Sequence, residues 1–413
     1  MTNEPARPGT VRARPRTPPK VRRPVPSPRV DSPVIARLAA DLAGARDEGG
    51  RRQVLDAFWS GRRSPVVEPS GDAWDVTFLW RDAAAEEVLL FVNRLTDERD
   101  LDRSLMERLP GTDVWHLAYR LRGDWRGSYA VLPKLPGRPA GWRDLPEQAT
   151  LRAALDRGLP DPLNPDTMRN RAGFPLSVAE LPHAPAQPWL APRGPLRGEL
   201  AEHLLDDRPL WAYRPAEFRP GGPVVVALDG EMWLDSQSLP AMVDNLIEDG
   251  LPEAPVVLLV PGGDRLRRWS ELHGAGSMPV WIADRLLPWA DRRWGVTADP
   301  ARRVVAGQSL GGAVALLTVA HRPDAVGRFL AQSASLWQDG VIDRIGSGIP
   351  ATAGGHLEVG LHEWVLLEPN RELHRRLEAR GVPHRYAEYN GGHDYACWRG
   401  GIADGLRSVL GGD

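Results

Sequence analysis

Gly307-Gln-Ser-Leu-Gly311 sets one serine between glycines, directly after the apolar run Val304 to Ala306 and directly before Gly312-Ala-Val-Ala-Leu-Leu-Thr-Val-Ala320, a plausible helix. A serine on a sharp strand-to-helix turn must adopt strained backbone angles, and the flanking glycines remove side chains that would clash there. The context predicts Ser309 as a nucleophile whose hydroxyl projects above a sheet. A serine hydroxyl is barely nucleophilic at neutral pH, so a histidine must accept its proton, and in such a fold that histidine follows the last strand. Tyr386 to Tyr389 reads as a strand, and Gly391-Gly-His-Asp-Tyr395 is a glycine turn presenting His393. His374 and His384 sit instead in a charged helix and its exit loop.

The third member of such a set falls between serine and histidine in chain order, after the strand-like run Leu357 to Leu361. Glu363 occupies that place, with Glu358 and Glu368 as rivals. Its carboxylate would fix the imidazole tautomer and stabilise the imidazolium formed during attack. Negative charge developing on a carbonyl oxygen needs preorganised donors. One expected donor is the backbone N–H of Leu310, at the start of the helix. The second is the N–H of Glu231, in the turn Leu228-Asp-Gly-Glu-Met232, which equally fits a simple β-turn built by Asp229 and Gly230.

Apolar runs at Val224 to Leu228, Val256 to Val260, Val304 to Ala306, Phe329 to Ala331 and Leu357 to Leu361 alternate with helical stretches. Runs of this kind are strands buried on both faces, and the alternation specifies a mostly parallel sheet between helices over residues 198–413. Upstream the period changes. After a helix-like stretch from Val34, the runs Val76 to Trp80, Val88 to Val92 and Val114 to Leu121 are rich in β-branched and aromatic residues. Short strands without long helices between them predict an antiparallel, sandwich-like module over residues 33–160. Residues 161–197 are dense in proline, as in Asp161-Pro-Leu-Asn-Pro165 and Pro182-His-Ala-Pro185, and read as a linker. Residues 1–32 hold Arg12, Arg14, Arg16, Lys20, Arg22 and Arg23 among prolines and read as a disordered tail.

The 413 residues are 42% hydrophobic and 26% charged, with a formal net charge of -2. That balance suits a soluble chain and gives no overall basic field to recruit nucleic acid or an anionic bilayer. Cys397 is the only cysteine, so no internal disulfide is available. The N-terminus has no apolar core of the kind a secretory signal carries, so a cytoplasmic location is expected. No metal-ligand spacing is found among His, Cys and carboxylate residues, so neither metal nor cofactor is expected in catalysis. Oligomeric state is not legible.

Beyond the serine, Ala306-Gly-Gln-Ser-Leu-Gly-Gly312, Gln332-Ser333, Glu358-Val-Gly-Leu-His-Glu363, Gly391-Gly-His-Asp394 and Cys397-Trp-Arg-Gly-Gly401 resemble segments of the enterochelin esterases, ferric-siderophore hydrolases of the esterase D group. Arg268 and Glu271-Leu272 occupy a similar loop. Val76-Thr-Phe-Leu-Trp80, Gly111-Thr-Asp-Val-Trp115, Asp124-Trp-Arg-Gly-Ser-Tyr129 and Asp161-Pro-Leu-Asn164 are similar to that family's accessory β domain. The resemblance implies an α/β-hydrolase domain behind that accessory domain, acting in the cytoplasm on the trilactone esters of a ferric catecholate siderophore. It also implies that Ser309, His393 and Glu363 carry catalysis and that Leu310 and Glu231 fall at oxyanion positions. One departure is His273-Gly-Ala-Gly-Ser277, where a more polar, Asn-containing loop is expected.

An iron tris-catecholate is a trianion with flat aromatic faces. Arg265, Arg267 and Arg268 form a local positive cluster, and Trp233 and Trp398 lie on the loops expected to carry catalysis, so these five are candidate substrate contacts. Two other readings stand beside this one: an esterase or acyltransferase of the same fold acting on another ester such as a carbohydrate ester, and a non-hydrolytic siderophore-binding or iron-release protein.

Overall fold

The computed structural model describes residues 18–19, 21, 27–145, 147–274 and 276–411. Most of the tail expected over 1–32 lies outside them. From residue 27 on, that stretch runs along a strand: Val30 N–H donates to the Ala118 carbonyl at 3.1 Å and Arg120 N–H to that of Pro28 at 3.0 Å. Backbone groups on an otherwise open strand edge need partners, and this segment supplies them.

The N-terminal half contributes β1 (Val66–Ser70), β2 (Ala73–Arg81), β3 (Glu87–Val92), β4 (Glu107–Arg108), β5 (Val114–Leu121), β6 (Arg126–Lys134), β7 (Thr167–Arg169) and β8 (Pro175–Glu180). They form two antiparallel sheets, ordered β1-β2-β5-β4 and β3-β6-β8-β7. The sheets meet across a shared core of Val76, Phe78, Leu90, Leu117, Tyr129 and Ala179, with the Phe78 and Tyr129 rings edge to face at 4.8 Å. Each large side chain buried there contributes roughly 1.5–3 kcal/mol. Alternation sends Leu79 and Val114 to the other face of the first sheet, where helices Pro33–Gly44 and Glu48–Trp59 cover them. Helix Gln148–Leu155 covers Leu89, Phe91 and Leu132 of the second sheet in the same way. The antiparallel module is therefore a sandwich faced by helices on both sides.

The proline-dense stretch read as a linker holds β7 and β8, which complete the second sheet with Arg126 opposite Glu180 and Tyr129 opposite Ser177. Proline is compatible with a strand at its first residue, where Pro175 stands, and a proline count alone does not reveal that placement.

The C-terminal half contributes β9 (Glu199–Leu205), β10 (Arg208–Arg214), β11 (Val224–Leu228), β12 (Val256–Val260), β13 (Arg303–Gln308), β14 (Arg328–Gln332), β15 (Gly354–Gly360) and β16 (His384–Tyr389). They form one sheet ordered β16-β15-β14-β13-β11-β12-β10-β9. From β12 to β16 neighbouring strands are parallel, and β10 and β9 extend the far edge antiparallel. Apolar cores lie on both faces, so the runs Val224–Leu228 and Val256–Val260 are buried throughout. The carboxyl ends of β11, β13, β14 and β15 lie side by side, which is where an open parallel sheet offers a site. Among the described residues no helix is long and apolar enough to cross a membrane.

Candidate active site

Ser309 follows β13 with φ 59° and ψ −116° and caps helix Leu310–His321. No β-branched or bulky residue tolerates such angles without cost, and strain of this kind is kept only where the surroundings enforce it. They do so here. A Cβ on Gly307 would come within 2.4 Å of the Gly311 carbonyl carbon, and one on Gly312 within 3.1 Å of the Gln332 oxygen. Strand and helix approach that closely only because both positions are glycine. Ser309 N–H donates to the Gln332 carbonyl at 3.0 Å, Ser335 N–H donates to the Ser309 carbonyl at 2.9 Å, and the two serine hydroxyls stand 3.2 Å apart. Leu310 opens the helix, whose first N–H groups lack an intrahelical acceptor and carry the positive end of its dipole.

His393 Nδ1–H donates to Glu363 Oε2, which leaves Nε2 as the basic nitrogen. The Glu363 carboxylate is buried, and its Oε1 accepts from Ser333 Oγ at 2.5 Å, Tyr389 OH at 2.9 Å and Gly360 N–H at 3.0 Å. Burial alone would raise the Glu363 pKa, but the His393 charge, the hydrogen bonds from His393 and Ser333, and the Arg94 cation outweigh it and hold the group below its ordinary value. Burial lowers the His393 pKa, and the opposing pull of Glu363 does not fully restore it. The rivals are elsewhere: Glu358 accepts from Gln332 at 2.6 Å beneath the sheet's end, and Glu368 is exposed and paired with Arg371 at 2.7 Å.

Ser309 and His393 line one cavity of about 250 Å³, together with Asn93, Arg152, Asn170, Arg171, Asp229, Arg268, Tyr395 and Trp398. Neither candidate oxyanion donor is among the lining residues: Leu310 directly follows Ser309, and Glu231 stands two positions after Asp229. The β11 end also packs on the helix start: a Cβ on Gly311 would sit 3.4 Å from Leu228 Cβ and 3.9 Å from Asp229 Oδ2. A strained serine at a helix start and an imidazole oriented by a buried carboxylate, both lining one cavity, are groups from which an acyl-transfer site can be built.

Comparisons with known proteins identify the family. The family model for the N-terminal domain of enterochelin esterase matches residues 75–190, and the esterase model matches residues 203–409. The chain belongs to the enterochelin esterase family. It is 32% identical to the iron(III) enterobactin esterase of Dickeya dadantii, over 92% of each chain. It is also 32% identical to the iron(III) salmochelin esterase of Escherichia coli O6:H1, over 91% of this chain and 98% of that one. A solved enterobactin esterase from Shigella flexneri, crystallised in the presence of enterobactin, superposes with a TM-score of 0.73 at 28% identity, covering 86% of this chain and 97% of that one. The chain is accordingly a carboxylic-ester hydrolase of the α/β kind.

Family strings in the accessory domain find physical roles here. In Asp124-Trp-Arg-Gly-Ser-Tyr129, Arg126 N–H donates to the Asn390 carbonyl at 3.1 Å and Ser128 N–H to Asp394 Oδ2 at 2.6 Å, so one strand braces the loop on both sides of His393. Tyr129 OH donates to Asp161 at 2.8 Å and accepts from Asn164 at 3.1 Å, which ties Asp161-Pro-Leu-Asn164 to the same strand.

The expected substrate contacts separate. Arg268 lines the cavity but chelates buried Asp229 with Nε at 2.8 Å and Nη2 at 2.7 Å. Arg265 is exposed at the first turn of helix Arg265–Leu272 and Arg267 pairs with Glu271 at 3.0 Å, and neither is among the residues lining the cavity. Trp233 is wholly buried and donates to Gln308 at 3.0 Å, a core role. Trp398 reaches the cavity, but its Nε1–H donates to Ser333 at 3.0 Å and its ring meets the His393 ring edge to face at 4.7 Å. Asn93, Arg152 and Arg171 come from the N-terminal half, far in sequence from the segments that carry Ser309 and His393, and no local pattern marks them.

Proposed function

We propose that this chain hydrolyses the trilactone esters of a ferric catecholate siderophore such as ferric enterobactin, in the cytoplasm, to release iron, with Ser309, His393 and Glu363 as its catalytic residues. The observation that carries the reading is the buried Glu363 carboxylate fixing the His393 tautomer beside a strained serine in one cavity. Ser309 Oγ exchanges its contact with Ser335 for one with His393 Nε2 and attacks the lactone carbonyl carbon, and its proton passes to the imidazole. The oxyanion is held by the N–H groups of Leu310 and Glu231. Collapse breaks the ester C–O bond, the departing ring alkoxide takes the proton from His393, and a serine-bound acyl group remains. Water, deprotonated by His393, then attacks the acyl carbon, the bond from that carbon to Ser309 Oγ breaks as His393 returns the proton to Oγ, and the acid product leaves and ionises to a carboxylate. Arg152 and Arg268 line the cavity, but each is ion-paired, Arg152 with Glu98 at 3.0 Å and Asp156 at 3.1 Å and Arg268 with Asp229 at 2.7 Å, so their charge is largely compensated there.

Incubation of the pure protein with ferric enterobactin, followed by mass spectrometry, tests this. Linear trimer, dimer and monomer are expected, and Ser309→Ala should abolish them. Turnover of simple aryl esters with the siderophore left intact would refute the substrate. Fluorescence quenching by the ferric ligand without turnover or fluorophosphonate labelling would refute the enzyme.

A further inference from the structure

The hairpin formed by β7 and β8 grips the segment between β11 and helix Leu239–Glu248 at two places. At its tip, Arg171 Nη2 pairs with Asp229 Oδ2 at 2.8 Å and Nη1 with Glu231 Oε1 at 2.9 Å. Where β7 enters the turn, Arg169 N–H donates to Ser236 Oγ at 3.1 Å, and that hydroxyl donates back to the Arg169 carbonyl at 2.9 Å. The gripped segment has reason to be held: Asp229 sits at φ 58° and Ser238 at φ 49°, both in the left-handed region that non-glycine residues avoid. The grip is itself rigid. Asn170 Oδ1 accepts from Ala172 and Phe174 N–H at 3.0 Å each, and Asn170 Nδ2 donates to the Asp156 carbonyl at 2.7 Å, fixing the turn that carries Arg171. Glu231 is tied from the other side by Gly262 N–H at 2.9 Å.

We propose that Arg171 is a positioning residue: from the accessory domain it holds the Asp229–Glu231 turn so that the Glu231 N–H points at the developing oxyanion. This deepens the catalytic reading above and rests on it. Geometry governs the worth of an oxyanion donor, since the hydrogen bond must form at the place the charge will occupy. Arg171 contributes a planar fork that meets two carboxylates at once, and a lysine ammonium cannot span both in the same way. Asp229 keeps its two bonds from Arg268 when Arg171 is removed, so the buried carboxylate stays compensated.

The test is steady-state kinetics of wild type, Arg171→Gln and Arg171→Lys on a neutral aryl ester and on ferric enterobactin, with the rate of Ser309 labelling by a fluorophosphonate. In Arg171→Gln, kcat should fall about 10–100-fold on both substrates, labelling should slow in parallel, and KM for the neutral ester should stay within about two-fold. Arg171→Lys should recover part of the loss. A rise in KM for the ferric siderophore alone, with neutral-ester kinetics and labelling untouched, would overturn the proposal and make Arg171 a substrate contact. No change in any of the three would overturn it too. Should Arg171→Gln not fold, Ser236→Ala releases the other anchor and should lower kcat about three- to ten-fold with KM unchanged, and an unaffected kcat there refutes the clamp. Wild type active on the aryl ester and inert towards the siderophore would remove the substrate reading and leave Arg171 to be judged on the neutral ester. Absence of Ser309 labelling in wild type would remove the serine mechanism and this proposal together.

Discussion

Asn93 Nδ2 donates to the carbonyl oxygen of His393 at 3.0 Å, so the proposed base is held in part by a residue three hundred positions upstream. Asn93 also packs on the glycine beside that histidine: a Cβ on Gly392 would lie 2.5 Å from Asn93 Oδ1. The accessory sandwich thus braces the loop that carries His393 and also contributes to the cavity wall. Asn93→Ala removes one hydrogen bond, whose net worth is about 1 kcal/mol. The expected outcome is a kcat on a neutral aryl ester reduced about five-fold with KM little changed. A KM effect alone would show that Asn93 contacts substrate instead.

Glu363 and Glu358 are both buried carboxylates near the end of β15, and only Glu363 reaches the imidazole. Glu363→Gln keeps the shape but removes the charge that stabilises the imidazolium, and kcat should fall about 10²–10⁴-fold. Glu358→Gln, which disturbs a hydrogen-bonded chain through Gln332, should instead lower the thermal midpoint and spare most of kcat. The pair of kinetic measurements, with thermal unfolding of each variant, decides the matter, and the reverse ranking would reassign the acid.

How far the sequence reached follows from how local each signal is. Ser309 and His393 announce themselves because strand, glycine turn and helix are contiguous in the chain. Glu363 was one of three carboxylates in the right interval, since which one meets an imidazole depends on loop geometry that no period encodes. The arginine cluster misled for a geometric reason: successive residues turn by 100° around a helix, so Arg268 faces Asp229 while Arg267 faces Glu271 on the same helix. Trp233 lies in an apolar core on one face of the sheet, which its place on a candidate loop does not betray. Asn93 and Arg171 were illegible because they act through folding of the accessory domain onto the site.

Trp398 offers a direct discrimination between stacking on substrate and holding the site together. Its Nε1–H donates to Ser333 Oγ, which in turn donates to Glu363. Trp398→Phe keeps an aromatic face and removes the N–H. The positioning role predicts a kcat lowered about three- to ten-fold and an unchanged KM for ferric enterobactin. A KM raised with kcat intact would restore the stacking role expected from sequence.

The acid limb of the pH profile follows from the shift on His393. A general base must be neutral, and burial holds the His393 pKa below the ordinary value of about 6.5 despite the opposing effect of Glu363. The folded enzyme therefore gives up its proton at lower pH than free histidine does. kcat/KM on a neutral ester should rise through a midpoint below about pH 6.5 and stay flat to about pH 8. Glu363 is the group that pulls this pKa upward, so in Glu363→Gln the midpoint of the residual activity should move further down. Rates measured from about pH 4.5 to 9 at constant ionic strength check both signs. A wild-type midpoint above about 7, or an upward move in the variant, would mean that another group limits the reaction.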